Sequence, residues 1–148
     1  MATCGDVMTR EPVYCVPSDT AAHAADLMRA HDIGSLPVVD SGESGRLVGI
    51  VTDRDLVVKV VAGTRAVNEA TVRDAMTPDP WRCHPEDTVD RAAAVMAERQ
   101  VRRLPIVDAE GRLVGIIAQA DIATRLPADG RTSDLVEAIS EPGEGTHT

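Results

Sequence analysis

Few residues in this chain have types and spacing suited to chemistry. The run Gly49-Ile-Val-Thr-Asp-Arg-Asp55 places a hydroxyl and two carboxylates where a strand turns into a helix. It lacks the further oxygen ligands of a calcium loop. Asp55 reads most simply as a first-turn carboxylate facing the helix dipole, and Thr52 as the cap of that helix. Arg102 and Arg103 are the only adjacent basic pair, and suit either a phosphate or a solvated surface. Cys4, Cys15 and Cys83 stand beside His23, His31 and His84 as the soft-ligand and redox candidates, but no CxxC or paired-His spacing joins them. Buried free cysteine behaves as a small hydrophobe, which is the reading preferred for Cys15 and Cys83. No nucleophile elbow, HExxH, P-loop or paired-carboxylate pattern occurs. The expectation is a protein that is not an enzyme, with no catalytic residue and no metal site.

The scaffold that positions these residues is small and acidic. The chain has 148 residues, a formal charge of −9, no Phe, one Trp and one Tyr. Aliphatic residues must therefore fill the core. β-Branched residues favour strands and Ala and Leu favour helices, so the composition fits an α/β fold. The negative charge opposes a nucleic-acid partner, whose phosphates would be repelled, but a small pocket can still be locally positive. No apolar run reaches the length of a membrane span, and the first ten residues lack a signal-peptide core. An odd cysteine count fits a reducing compartment. The expected location is the cytoplasm, with no membrane or nucleic-acid partner.

Self-comparison sets the architecture. Asp6-Val-Met8-Thr9 returns as Asp74-Ala-Met76-Thr77, and at the same shift Cys15, Pro17, Thr20, Met28, Leu36 and Pro37 meet Cys83, Pro85, Thr88, Met96, Leu104 and Pro105. After two extra loop residues in the first copy, Gly45-Arg-Leu-Val-Gly-Ile50 matches Gly111-Arg-Leu-Val-Gly-Ile116. Roughly twenty of about fifty aligned positions agree, against about three expected by chance. Each copy reads β-α-β-β-α. A short helix ends at Met8 or Met76 and leads into an extended segment through Cys15 or Cys83. Thr20 and Thr88 cap helices, and the second helix carries Val89, Ala92, Ala93 and Met96 on one stripe. Leu36–Val39 with Arg46–Val51, and Leu104–Val107 with Arg112–Ile117, read as hairpins; a further helix begins near Asp53 or Gln119. The expected organisation is a first domain over 1–62, a linker over 63–69, a second domain over 70–127, and a C-terminal helix and disordered tail over 128–148. Met28, Met96 and the alanines around them are expected to stay exposed in a monomer and to drive dimerisation.

Each copy resembles a CBS domain, and the pair resembles the tandem unit called a Bateman module. The resemblance rests on Met8-Thr9, Pro17-Ser-Asp-Thr20, Leu36-Pro-Val-Val-Asp40 and Gly49–Asp55, with Met76-Thr-Pro78, Pro85-Glu-Asp-Thr88, Val101–Asp108 and Gly115–Asp121 in the second copy. In form the chain is similar to the stand-alone two-CBS proteins of the hypoxic response group. The resemblance implies an α/β (α+β) fold of two tandem CBS domains related by pseudo-two-fold symmetry, with clefts between them, and a homodimer. It implies a regulatory module that requires no cofactor, takes AMP, ADP or ATP as ligand, and acts on a separate effector protein. The family motif at the ligand site, Gly-x-x-[Ser/Thr]-x-x-Asp, is intact as Gly49, Thr52 and Asp55. In the second copy Gly115 and Asp121 remain, but Ala118 replaces the hydroxyl residue, which weakens that site. Carried over residue by residue, the nucleotide site would comprise Val13, Leu36, Pro37, Thr52, Asp55, Arg102, Arg103 and Asp121. A carboxylate in the first helical turn can accept bonds from two ribose hydroxyls, which is the role implied for Asp55. Trp81 corresponds to Val13 and is expected to fill space, plugging the second cleft, rather than to stack on a base. The alternatives are a structural or partner-binding dimer with decayed sites, and a redox- or zinc-responsive stress protein.

Overall fold

The computed structural model describes residues 2–63 and 66–125. The sequence reading of a helix and tail over 128–148 lies outside the described residues. The described chain is mixed α/β and contains two three-stranded antiparallel sheets, as the duplication predicts.

One compact unit runs from Val13 to Pro80. Its first helix, α2 (Ala21–His31), follows the short α1 (Cys4–Val7) and β1 (Thr9–Arg10), which belong to the other unit. The Thr20 hydroxyl accepts from the His23 N–H at 3.0 Å and caps α2, and Asp32 ends it in the left-handed region at φ 53°. Strands β2 (Ser35–Val39) and β3 (Leu47–Thr52) pair in register Ser35 to Thr52, and β3 also pairs with β4 (Thr77–Pro78). β3 runs into α3 (Asp53–Asp55), which continues as a π-helical segment over Leu56–Val61. The short α4 (Val72–Ala75) precedes β4. Cys15, Ala24, Met28, Leu36, Val38, Val51 and Val60 make the core.

The other unit joins the segment ending at Pro12 to the chain from Trp81 onward. It repeats the plan with α5 (Val89–Arg99), β5 (Arg103–Val107), β6 (Leu113–Ala118) and α6 (Gln119–Arg125). Thr88 caps α5 through the Arg91 N–H, and Gln100 ends it at φ 56°, the counterpart of Asp32. The sheet order is β1-β6-β5. Thus the leading strand of each sequence copy pairs with the last strand of the other copy: β1 with β6 and β4 with β3. Gly115 permits this approach, since a Cβ there would meet the Met8 side chain and sit 3.0 Å from the Thr9 carbonyl. Gly49 does the same beneath Met76 and the Thr77 carbonyl, at 2.7 and 3.0 Å.

Two expectations need correction. Met28 and Met96 are buried, at 6% and 0% exposure, because the apolar stripes of α2 and α5 turn inward onto their own sheets. The apolar surface left over lies instead on the π-helical segment, where Val57, Val58 and Val61 are exposed. Trp81 fills no interior space: it is 55% exposed, with the Arg99 guanidinium carbon 3.9 Å over its ring centroid. A stacked guanidinium covers one face of the indole and leaves the other to water.

Candidate functional site

The corner between β3 and α3 is built by a reciprocal cap. The Thr52 hydroxyl accepts from the Asp55 N–H at 3.0 Å, and the Asp55 carboxylate accepts from the Thr52 N–H at 2.9 Å. A Thr-x-x-Asp spacing at a helix start suits this box, because the two side chains satisfy two otherwise unpaired donors. The other Asp55 oxygen lies 3.3 Å from Lys59 Nζ, one turn on, and Nζ also donates to the Ala75 carbonyl at 3.1 Å. The site carboxylate is therefore fixed from two sides within its own unit. An ionised carboxylate has about four acceptor positions, so ribose hydroxyls can still be met.

Ser35, absent from the residues singled out in the sequence, stands at this corner. It is the residue in register with Thr52, is 3% exposed, and its Oγ is buried with no hydrogen-bond partner among the described residues. A buried hydroxyl left unpaired costs about 1–3 kcal/mol. Its signal in the sequence was the repeat alignment, in which Ser35 takes the place of Arg103. Leu36 and Pro37 follow it on β2 and are buried; Leu36 is a core residue and the Pro37 carbonyl accepts from the Cys15 N–H at 3.1 Å. Val13 is half-buried against the same core.

In the other unit the corresponding corner holds only half of this arrangement. Asp121 accepts from the Ala118 N–H at 2.9 Å, but Ala118 has no hydroxyl to return the bond. Arg103, partly exposed, is the residue in register with Ala118. Arg102 is exposed, and its carbonyl accepts from the Gln119 N–H at 2.9 Å. One corner thus carries Ser35, Thr52 and Asp55, and the other Arg103, Ala118 and Asp121.

The three cysteines are buried thiols. Desolvation, with the Asp19 charge second, pushes Cys15 up to about 12, so it stays protonated at neutral pH. Among the described residues no three His, Cys, Asp or Glu side chains come together as a metal site. No helix among them is long and apolar enough to cross a membrane.

A strand-to-helix corner of this motif, whole in one copy and without its hydroxyl in the other copy of a duplicated α/β chain, defines a class. The chain belongs to the CBS domain family, whose model matches residues 4–62 and 72–128. Hypoxic response protein 1 of Mycobacterium tuberculosis is 37% identical over 142 residues, covering 96% of each chain. The crystal structure of Hypoxic Response Protein I with two coordinated zinc ions superposes with a TM-score of 0.77 at 38% identity, covering 85% of this chain and all of that one. CBSX2 of Arabidopsis thaliana in complex with AMP superposes at 0.74 with 31% identity, covering 84% of this chain and 96% of that one. The zinc belongs to that relative; no group of described side chains here supplies a set of three ligands.

Proposed function

We propose that this protein is a non-catalytic regulatory module that binds an adenine nucleotide, with AMP the ligand of first choice. The observation that carries the reading is the buried Ser35 hydroxyl, without a partner among the described residues, in register with the intact Thr52–Asp55 corner. A ligand oxygen would supply the missing hydrogen bond. Asp55 would take the ribose diol in exchange for its partly exposed Lys59 contact, which contributes about 0.2–1 kcal/mol. Val13, Leu36 and Pro37 would border the base. In the other unit Arg102 and Arg103 would provide positive charge for a phosphate at that unit's own corner, with Asp121 a weaker ribose partner beside Ala118. The AMP held by CBSX2 supports the ligand class.

The same reading makes the protein a cytoplasmic homodimer that signals to a separate effector protein. A 440 Å³ groove bordered by Ala22, Ala25, Leu56, Val57, Val61 and Val67 offers the apolar surface such a dimer would bury. A second reading, a structural dimer with decayed sites, is favoured by one observation: Asp55 and Asp121 both already serve as backbone caps. Calorimetry with AMP, ADP and ATP separates the two. Binding that falls in Ser35→Ala and Asp55→Ala supports the nucleotide module. Heat of dilution alone for all three ligands leaves the structural dimer.

A further inference from the structure

Cys4 and Cys83 lie 79 positions apart, yet they share one core, where each thiol shifts the titration of the other. Both are buried, at 0% and 1% exposure. The backbone explains the meeting. The Cys4 N–H donates to the Asp87 carbonyl at 2.8 Å and the Gly5 N–H to the Pro85 carbonyl at 2.9 Å, so α1 runs beside the segment just after Cys83. Cys83 is itself pinned to β5, its N–H donating to the Pro105 carbonyl and its carbonyl accepting from the Val107 N–H. The Cys4 thiol also points at the Thr88 carbonyl, 3.8 Å away.

The repeat provides an internal control. At the positions of Cys4 and Cys83 the other copy has Val72 and Cys15. A structural role for small apolar residues is met equally well by valine, and the other core uses it at 0% exposure. The second thiol in this core therefore adds something that packing does not require.

We propose that Cys4 and Cys83 form a redox-modified dithiol, oxidised to an intramolecular disulfide by a two-electron oxidant of the peroxide class. Local opening of the four-residue α1 admits the oxidant. The Cys83 thiolate attacks a peroxide oxygen, the O–O bond breaks, and one water leaves as Cys83 becomes a sulfenic acid. Cys4 sulfur then attacks the Cys83 sulfur, forming the S–S bond and expelling the second oxygen as water. Both thiol protons end on the two waters, and the two electrons reduce the peroxide. Its neighbour Cys4 lowers the Cys83 thiol, while Cys83 and burial raise Cys4, which fits Cys83 as attacker and Cys4 as resolver. Closing this loop ties the segment bearing β1 to the unit in which β1 completes the sheet.

The test uses the full chain, reduced, then treated with hydrogen peroxide or diamide and digested without reductant. The expected result is loss of two hydrogens in intact mass, a cross-linked peptide joining Cys4 to Cys83, and a Tm rise of about 5–15 °C that dithiothreitol reverses. Cys4→Val, copying the other core, should lose the mass change, whereas Cys15→Ala should keep it. If either variant folds poorly, the peptide map of the wild type decides alone. A native chain that keeps its mass while its urea-unfolded form cross-links would overturn the proposal, as would a cross-link through Cys15.

Discussion

Replacing Asp55 by alanine should injure the protein twice, and the two injuries can be measured separately. Without ligand, the variant loses the carboxylate half of the box on the Thr52 N–H and the Lys59 ion pair. The cap contributes about 0.5–2 kcal/mol and the partly exposed ion pair about 0.2–1, so a loss of about 1–2 kcal/mol is expected. At this chain length that lowers Tm by about 3–7 °C. Asp55→Asn keeps one acceptor oxygen for the Thr52 N–H and should fall by less. With AMP, losing a charged acceptor for the ribose diol costs about 1.5–3 kcal/mol, a weakening of roughly 10- to 150-fold. Asp121→Ala removes the equivalent bond to the Ala118 N–H and should cost similar stability with a smaller change in AMP affinity. Differential scanning fluorimetry reads the first effect and calorimetry the second. An Asp55→Ala protein as stable as wild type would refute the cap, and unchanged AMP affinity would refute the ribose role.

Further outcomes follow from the same geometry. Gly115→Ala and Gly49→Ala push a Cβ against Met8 or Met76 and a strand carbonyl, and each should lower stability by about 1–3 kcal/mol in urea titrations. Asp108 is held below the ordinary carboxylate range, first by the Arg112 N–H hydrogen bond at 2.9 Å. Its stabilisation is present above that range and lost as pH falls through the depressed folded value, so wild type should exceed Asp108→Asn in Tm at pH 7 and converge with it as the solution is acidified past the folded value. Arg103→Ala should weaken ATP more than adenosine, with the gap shrinking as salt rises; equal losses would mean that Arg103 shapes the site without reading phosphate. Light scattering at micromolar concentration should give twice the monomer mass, and a monomer throughout would remove the apolar groove as a dimer surface.

Local structure was legible in the residues themselves. The stripe Val89, Ala92, Ala93 and Met96 and the Thr88 cap specify α5, and the structure places it at Val89–Arg99. The Leu-Pro strands start one residue earlier, at Ser35 and Arg103, because each first residue pairs across its hairpin. Thr52 and Asp55 were readable as cap and first-turn carboxylate, and the Thr-x-x-Asp spacing already contains their reciprocal bonds. What escaped was non-local. The exchange of β1 and β4 between copies depends on pairing across more than a hundred residues in one case, which periodicity cannot register. Inward rotation of Met28 and Met96 depends on which face of an Ala-rich helix meets the sheet. Ser35 was visible only as the residue that was not arginine, and its value rests on a hydroxyl without a partner.

The central claim, that the Ser35–Thr52–Asp55 corner receives an adenine nucleotide, is tested most directly by titrating AMP into wild type and Ser35→Ala in one calorimetric series. Without ligand, removing an unsatisfied buried hydroxyl should leave Tm unchanged or raise it. With AMP, the account predicts saturable binding by wild type and weaker binding by Ser35→Ala, by about 0.5–1.5 kcal/mol for a neutral hydrogen bond. Equal AMP affinity in the two proteins, or none in wild type, would contradict it.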